Sequence, residues 1–185
     1  MVALKPEKGR LLIAEPSILN DKSFKRTIIY LTEHSKESSV GFIMNKPTNY
    51  VLSDLLPEID CDFTVFDGGP VEQDNLYFIH RIPDKLPNSV EVSDGIYWGG
   101  NFNLLQELLI NHKIKSDEIR FFLGYSGWDS NQLESELNTA SWFVSENDYE
   151  NIFAIENETL WKNKLLQKGG KYKIWANAPE DIQLN

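Results

Sequence analysis

The chain has 185 residues, a net charge of −10, 41% hydrophobic residues and 12% aromatics, enough apolar material for one substantial core and too much for a disordered segment. Its longest apolar runs, such as LLIA (11–14) and IIYL (28–31), are too short to cross a bilayer, and MVALKPEKGR lacks a signal-peptide core, so a single soluble cytoplasmic domain over 1–185 is expected, with no membrane partner. Residues 61–160 hold 18 acidic groups against 5 basic ones, a surface that repels phosphate backbones and disfavours nucleic acid as a partner.

LLIAEP (11–16) reads as a first strand. RTIIYLTEH (26–34) and SVGFIMN (39–45) are β-rich runs joined by SKES, a hairpin signal. Asn45 to Thr48 then reads as a turn, with Ser53 capping a short LSDLLPE helix that Pro57 stops. FTVFDGGPV (63–71) is a strand ending in a Gly-Gly-Pro turn, NLYFIHRI (75–82) its return, and GIYWGG (95–100) one more strand. NFNLLQELLINHKI (101–114) carries leucines at helical spacing, with Asn101 as its cap. EIRFFLGYSG (118–127) is apolar enough for a central strand. A helix from Ser130 to Ala140 follows, then short strands SWFV (141–144) and NIFAI (151–155), and a last helix over 158–170 stopped by Gly169 or Gly170. Helices interleave with hairpins without a βαβ rhythm, so the expected class is α+β in one domain.

GYSGWDSNQLESEL (124–137) raises the sharpest functional question. A nucleophile elbow needs Gly-x-Ser-x-Gly, but Trp128 stands at the fifth position and no histidine follows position 112. Asp129 with Gln132 resembles a capping box instead, so Ser126 is not expected to be a nucleophile. The same corner supplies ligand candidates: Trp128 and Gln132, with Tyr125 and Glu134, could form an aromatic wall and a carboxylate for a base or a cation.

His34 and His80 end two strands, but HxH and HxxxH spacing are absent, so no metal and no cofactor are expected. Arg26 and Asn45 flank the first hairpin and are candidates for an anion, or for turn-building. Cys61 lies between two aspartates, which raises a thiol's pKa, and Asp67-Gly68-Gly69-Pro70 lacks any phosphate-loop pattern.

LLIAEPSI (11–18), FKRTIIYLTEH (24–34), VGFIMNKPT (40–48), DGGPV (67–71), LYFIH (76–80) and the GYSGW corner together resemble the YqgE/AlgH family of bacterial proteins. The resemblance implies a branched mixed β-sheet with a small barrel-like portion surrounded by helices, spanning about 10–170, with 171–185 as an extension. It implies a cytosolic protein without an established activity, one branch of which carries a transcriptional-regulator label resting on genetic effects. No catalytic set carries over. Trp128 to Gln132 also depart from the glycine- and proline-rich corner usual in the family.

The expected function is that of a non-catalytic cytosolic binding or regulatory protein with an unidentified protein or small-molecule partner, any effect on transcription being indirect. Two alternatives stay open. One is a hydrolase-type enzyme using Glu134, Tyr125 and His34 or His80 around the 125–134 corner. The other is direct DNA binding through the five lysines between 162 and 173.

Overall fold

The computed structural model describes residues 4–149, 151–154 and 159–179. Among the described residues, ten strands and five helices make up one mixed α+β domain. β1 (Leu11–Ala14), β2 (Ile28–His34) and β3 (Ser38–Ile43) form an antiparallel meander. β4 (Pro47–Val51) and α1 (Leu52–Leu55) follow. Residues 47–48, expected in a turn, therefore begin a strand. Nor does Ser53 cap the helix, because Asp54 accepts the Val51 amide at 2.9 Å.

β5 (Thr64–Asp67) and β6 (Val71–His80) flank the Gly-Gly-Pro turn as expected. β7 (Val90–Ser93) and β8 (Ile96–Trp98) make a hairpin whose Asp94-Gly95 turn has φ of +50° and +76°, the left-handed pair that a tight two-residue hairpin requires. α2 (Phe102–Ile110) is capped by Asn101, whose side chain accepts from the Leu104 amide. β9 (Ile119–Asp129) is the longest strand among the described residues and runs two residues past the strand expected over 118–127. α3 (Gln132–Asn138) and β10 (Trp142–Ser145) complete the corner. Residues 152–154 form a 3-10 turn where a strand was expected over 151–155, Ile155 lying outside the described residues. The expected last helix is α4 (Thr159–Lys168), Glu158 lying outside the described residues, with Gly169 at φ +74° as its stop. The 171–185 extension contributes α5 (Tyr172–Ala176), and 180–185 lie outside the described residues.

The sheet order is β10-β1-β2-β3-β9-β6-β8-β7, with β5 branching off β9 and β4 beyond it. One edge of β9 pairs with β6; the other is shared, with β3 taking residues 126–129 and β5 taking 121–123 in the only parallel pairing among the described residues. The branch expected from the family resemblance is thus a fork on β9. Its geometry explains two glycines. A Cβ on Gly68 would lie 2.2 Å from the Gly124 carbonyl oxygen, and one on Gly124, at φ +68°, 2.6 Å from that of Gly69. Only bare backbone fits where the branches cross.

Adjacent residues of β5, β6 and β9 feed two separate cores. Val65, Phe78 and Phe121 face the smaller core with Leu105 and Leu109 of α2, while Phe66, Ile79 and Phe122 face the larger one. Burial on both faces is why these strands read as unbroken apolar runs. The β7–β8 hairpin folds back toward β2, where the Tyr30 hydroxyl lies 3.1 Å from Ser93 Oγ. The sheet thus curls like a barrel, but no ladder closes it among the described residues. No described helix is long and apolar enough to cross a membrane.

Candidate functional site

The 125–134 corner is built on three paired strands. His34 of β2 pairs with Ser39 of β3, and Ser39 pairs with Trp128 of β9, so their side chains form one row on one face. His34 Nδ1 lies 2.8 Å from Ser39 Oγ, and Nε2 lies 3.9 Å from Glu134 Oε1 on α3. The Glu134 side chain is 46% exposed, that of His34 17%.

Trp128 is buried, and its partner is Glu136 rather than Glu134. Glu136 Oε2 accepts the indole N–H of Trp128 at 2.8 Å and that of Trp142 at 2.7 Å, while Oε1 accepts from Gln132 Nε2 at 2.9 Å. Gln132 Oε1 in turn accepts the Asp129 amide at 3.0 Å, one half of the expected capping box. Phe24 closes the cluster, stacked on Trp128 and edge-on to Trp142. Sequence reasoning did not assign Glu136 or Trp142 to the candidate site; a tryptophan eight residues before the glutamate and another six after it were the available signal.

Three residues apart on one strand, Tyr125 and Trp128 face opposite ways, so the aromatic wall divides across the sheet. Tyr125 packs edge-on against Tyr77, whose hydroxyl donates to Glu72. That bond, with a second from Asn75, holds the Glu72 carboxyl below its ordinary range, and the bond to Glu72 raises the Tyr77 phenol. Ser126 is fully buried, and its hydroxyl donates to the Gly68 carbonyl at 3.1 Å, fastening the fork.

His80 lies elsewhere. It pairs with Ile119 at the opposite end of β9 from Trp128, nine residues or about 30 Å of strand away. The ring is buried; Nδ1 accepts the Ile82 amide, and Nε2 donates to the Gly99 carbonyl. Burial lowers its pKa below 6.5, partly offset by that carbonyl, and the imidazole is held neutral.

Arg26 and Asn45 meet, but through the backbone. Asn45 Oδ1 accepts the Ile28 amide at 2.8 Å and Nδ2 donates to the Arg26 carbonyl at 2.9 Å, extending the β2–β3 pairing. The Arg26 guanidinium lies over Trp161 and donates to the carbonyls of Ala178 and Pro179, tying down the C-terminal extension. Of the lysines from 162 to 173, Lys164 is buried against Asp148, and Lys168 reaches Glu15 at 2.9 Å. Burial, then the Asp62 and Asp60 charges, raises the Cys61 thiol. Among the described residues no three His, Cys, Asp or Glu gather to hold a metal.

A cleft that the sequence did not signal as a whole opens between β5 and the start of β9. Its volume is about 400 Å³, and Phe63, Phe66 and Phe153 wall it with Thr64 and Arg120. Arg120 is the one charge in IRFFL, and it is buried. Its Nη1 donates to the Met44 carbonyl at 2.8 Å, Nη2 donates to that of Phe153, and the guanidinium lies 4.0 Å from the Phe66 ring centre. A charge inside an apolar central strand was the sequence clue.

A model of the AlgH-like family matches residues 11–173. A UPF0301 protein of Cytophaga hutchinsonii is 41% identical over 181 residues, covering 96% of this chain and 98% of the relative. One from Chlorobium limicola is 38% identical over 182 residues, covering 98% and 97%. Among solved structures, the AlgH protein of Pseudomonas aeruginosa matches with a TM-score of 0.72 at 22% identity, over 97% of this chain and 98% of that one. A Corynebacterium diphtheriae protein matches at 0.76 and 19% identity, over 96% and 95%. Those two likenesses concern the fold alone. The sequence matches reach from β1 into α5, and the chain belongs to the AlgH-like family.

Proposed function

We propose that this chain is a non-catalytic cytosolic binding protein that acts through a partner or a small ligand, any effect on transcription being indirect. The observation that carries this reading is the aromatic cleft of about 400 Å³ beside Arg120, which falls within the size range of small-molecule sites. The reading also draws support from Ser126, Glu136 and His80, whose polar atoms are spent on internal hydrogen bonds. Two parallel assays test it: thermal-shift titration of a metabolite panel, and turnover of generic ester, phosphate-ester and nucleotide substrates. Saturable stabilisation that Phe63→Ala removes, without turnover, is the expected result. Stabilisation by no metabolite that survives the Phe63→Ala comparison would remove the cleft from the proposal.

One observation favours a second reading. Ser39, His34 and Glu134 stand in line as hydroxyl, imidazole and carboxylate, the order of a hydrolase relay, although Ser39 is buried and the last gap is 3.9 Å. Turnover in the same assays that disappears in Glu134→Gln would install this reading in place of the first.

A further inference from the structure

A smaller cleft, of about 140 Å³, lies between the Asp94-Gly95 turn, Arg81 just after β6, Asn147, Tyr149 and residues 151–153. It differs from the corner in how its polar groups are used. Asn147 Oδ1 is buried and has no hydrogen-bond partner among the described residues. Such an acceptor is costly to leave dry and unpaired. Arg81 and Asp94 also line this cleft, and among the described residues neither side chain makes an ion pair or hydrogen bond. Opposite charges thus flank one small volume without neutralising each other. The far wall is firmly set: Asn151 accepts the Phe153 amide at 3.0 Å, shaping the turn.

We propose that this cleft binds a small zwitterion of the free amino acid class, its carboxylate on Arg81 and its ammonium on Asp94 and Asn147 Oδ1. The charges make the choice. A simple anion would meet Asp94, and a simple cation would meet Arg81; a molecule carrying both signs satisfies each. Size agrees, since a cavity of about 150 Å³ accepts benzene, which limits the ligand to roughly five to eight heavy atoms. Tyr149 adds a donor for the carboxylate. Burial first, and the Asp148 charge second, push its phenol up to about 12, so it keeps its proton at neutral pH. The inference rests on the binding reading above but occupies a different cleft, with Phe153 in the wall of both.

The test is calorimetric titration of the full chain with the twenty free amino acids, each binder then compared with its N-acetyl and carboxamide forms. At least one small amino acid should bind at one site per chain, and both blocked forms should fail. Arg81→Ala and Asp94→Asn should each weaken binding about tenfold or more, the loss expected for a hydrogen bond to a charged group. Both positions are exposed, so unchanged melting temperatures will separate lost binding from lost folding. No saturable heat with any amino acid up to about 10 mM overturns the site, since even a Kd of about 1 mM would then be near saturation. Equal binding of the N-acetyl form overturns the role of Asp94 and Asn147. Recovery of the ligand distinguishes the two claims: an amino acid bound but chemically consumed defeats the non-catalytic reading while the site stands, and one never bound defeats the site alone.

Discussion

The corner at Trp128 and the cleft at Asn147 sit on the same curled sheet and use polar groups in opposite ways. At the corner, one glutamate satisfies two indoles and a glutamine, and a serine that resembles a nucleophile holds two strands together. At the cleft, an arginine, an aspartate and an asparagine line one volume, with the two charges and the buried asparagine oxygen unpaired among the described residues. At the corner, Glu136 and Ser126 are spent on internal hydrogen bonds, and at the cleft Arg81 and Asp94 make none among the described residues. Hydrogen-bond satisfaction separates the two regions better than residue identity does.

Mutations can break that contrast, beginning with the fork that carries both regions. Gly124→Ala places a Cβ against two carbonyl oxygens at a positive φ, and urea unfolding should register a loss of about 3 kcal/mol or more, or no folded protein. Glu136→Ala strands two buried indole N–H groups and should cost about 2–4 kcal/mol in the same measurement. Ser126→Ala should cost about 1 kcal/mol, the worth of its bond to Gly68.

His80 offers a pH handle on the end of β6 where it pairs with β8 and β9. Its folded pKa lies below 6.5 because of burial, so the unfolded chain takes up the proton first. Its contribution is complete above about pH 6.5 and is lost as pH falls through the folded value. Unfolding midpoints measured from pH 7 to pH 5 should therefore decline, and His80→Gln should flatten that decline relative to its own value at pH 7. The smallest effect belongs to the cleft: Arg81→Ala should change stability by no more than about 0.5 kcal/mol, since the exposed guanidinium makes no hydrogen bond or ion pair among the described residues. A large loss there would mean that the two regions are built alike.

The sequence revealed much of this fold, for identifiable reasons. α2 announced itself through its leucines and Asn101, and β9 through apolar residues facing two cores at once. β7 escaped because VEVS is a short, largely exposed edge whose signal was the Asp-Gly turn after it. The glycines of GYSGW looked like those of a corner, whereas Gly124 serves a crossing of backbones from distant sequence. The extended reading of NIFAI failed because, among the described residues, no strand pairs with 151–154, and residues 152–154 curl into a single 3-10 turn. At the site level, His34 and Glu134 were legible as candidates and do approach each other. The grouping of Arg81, Asp94 and Asn147 was not, since three distant segments meet there without local periodicity.

The fork on β9 has one more result. An unbranched open sheet ends at two strands, but this one ends at three, β10, β7 and β4, each offering a row of backbone groups to any passing chain. Each is only four or five residues long. β4 opens on Pro47, which has no amide to donate, and the register of β7 shifts between Glu91 and Ser93. A branched sheet gains a second surface on its central strand and must guard an extra flank against self-association.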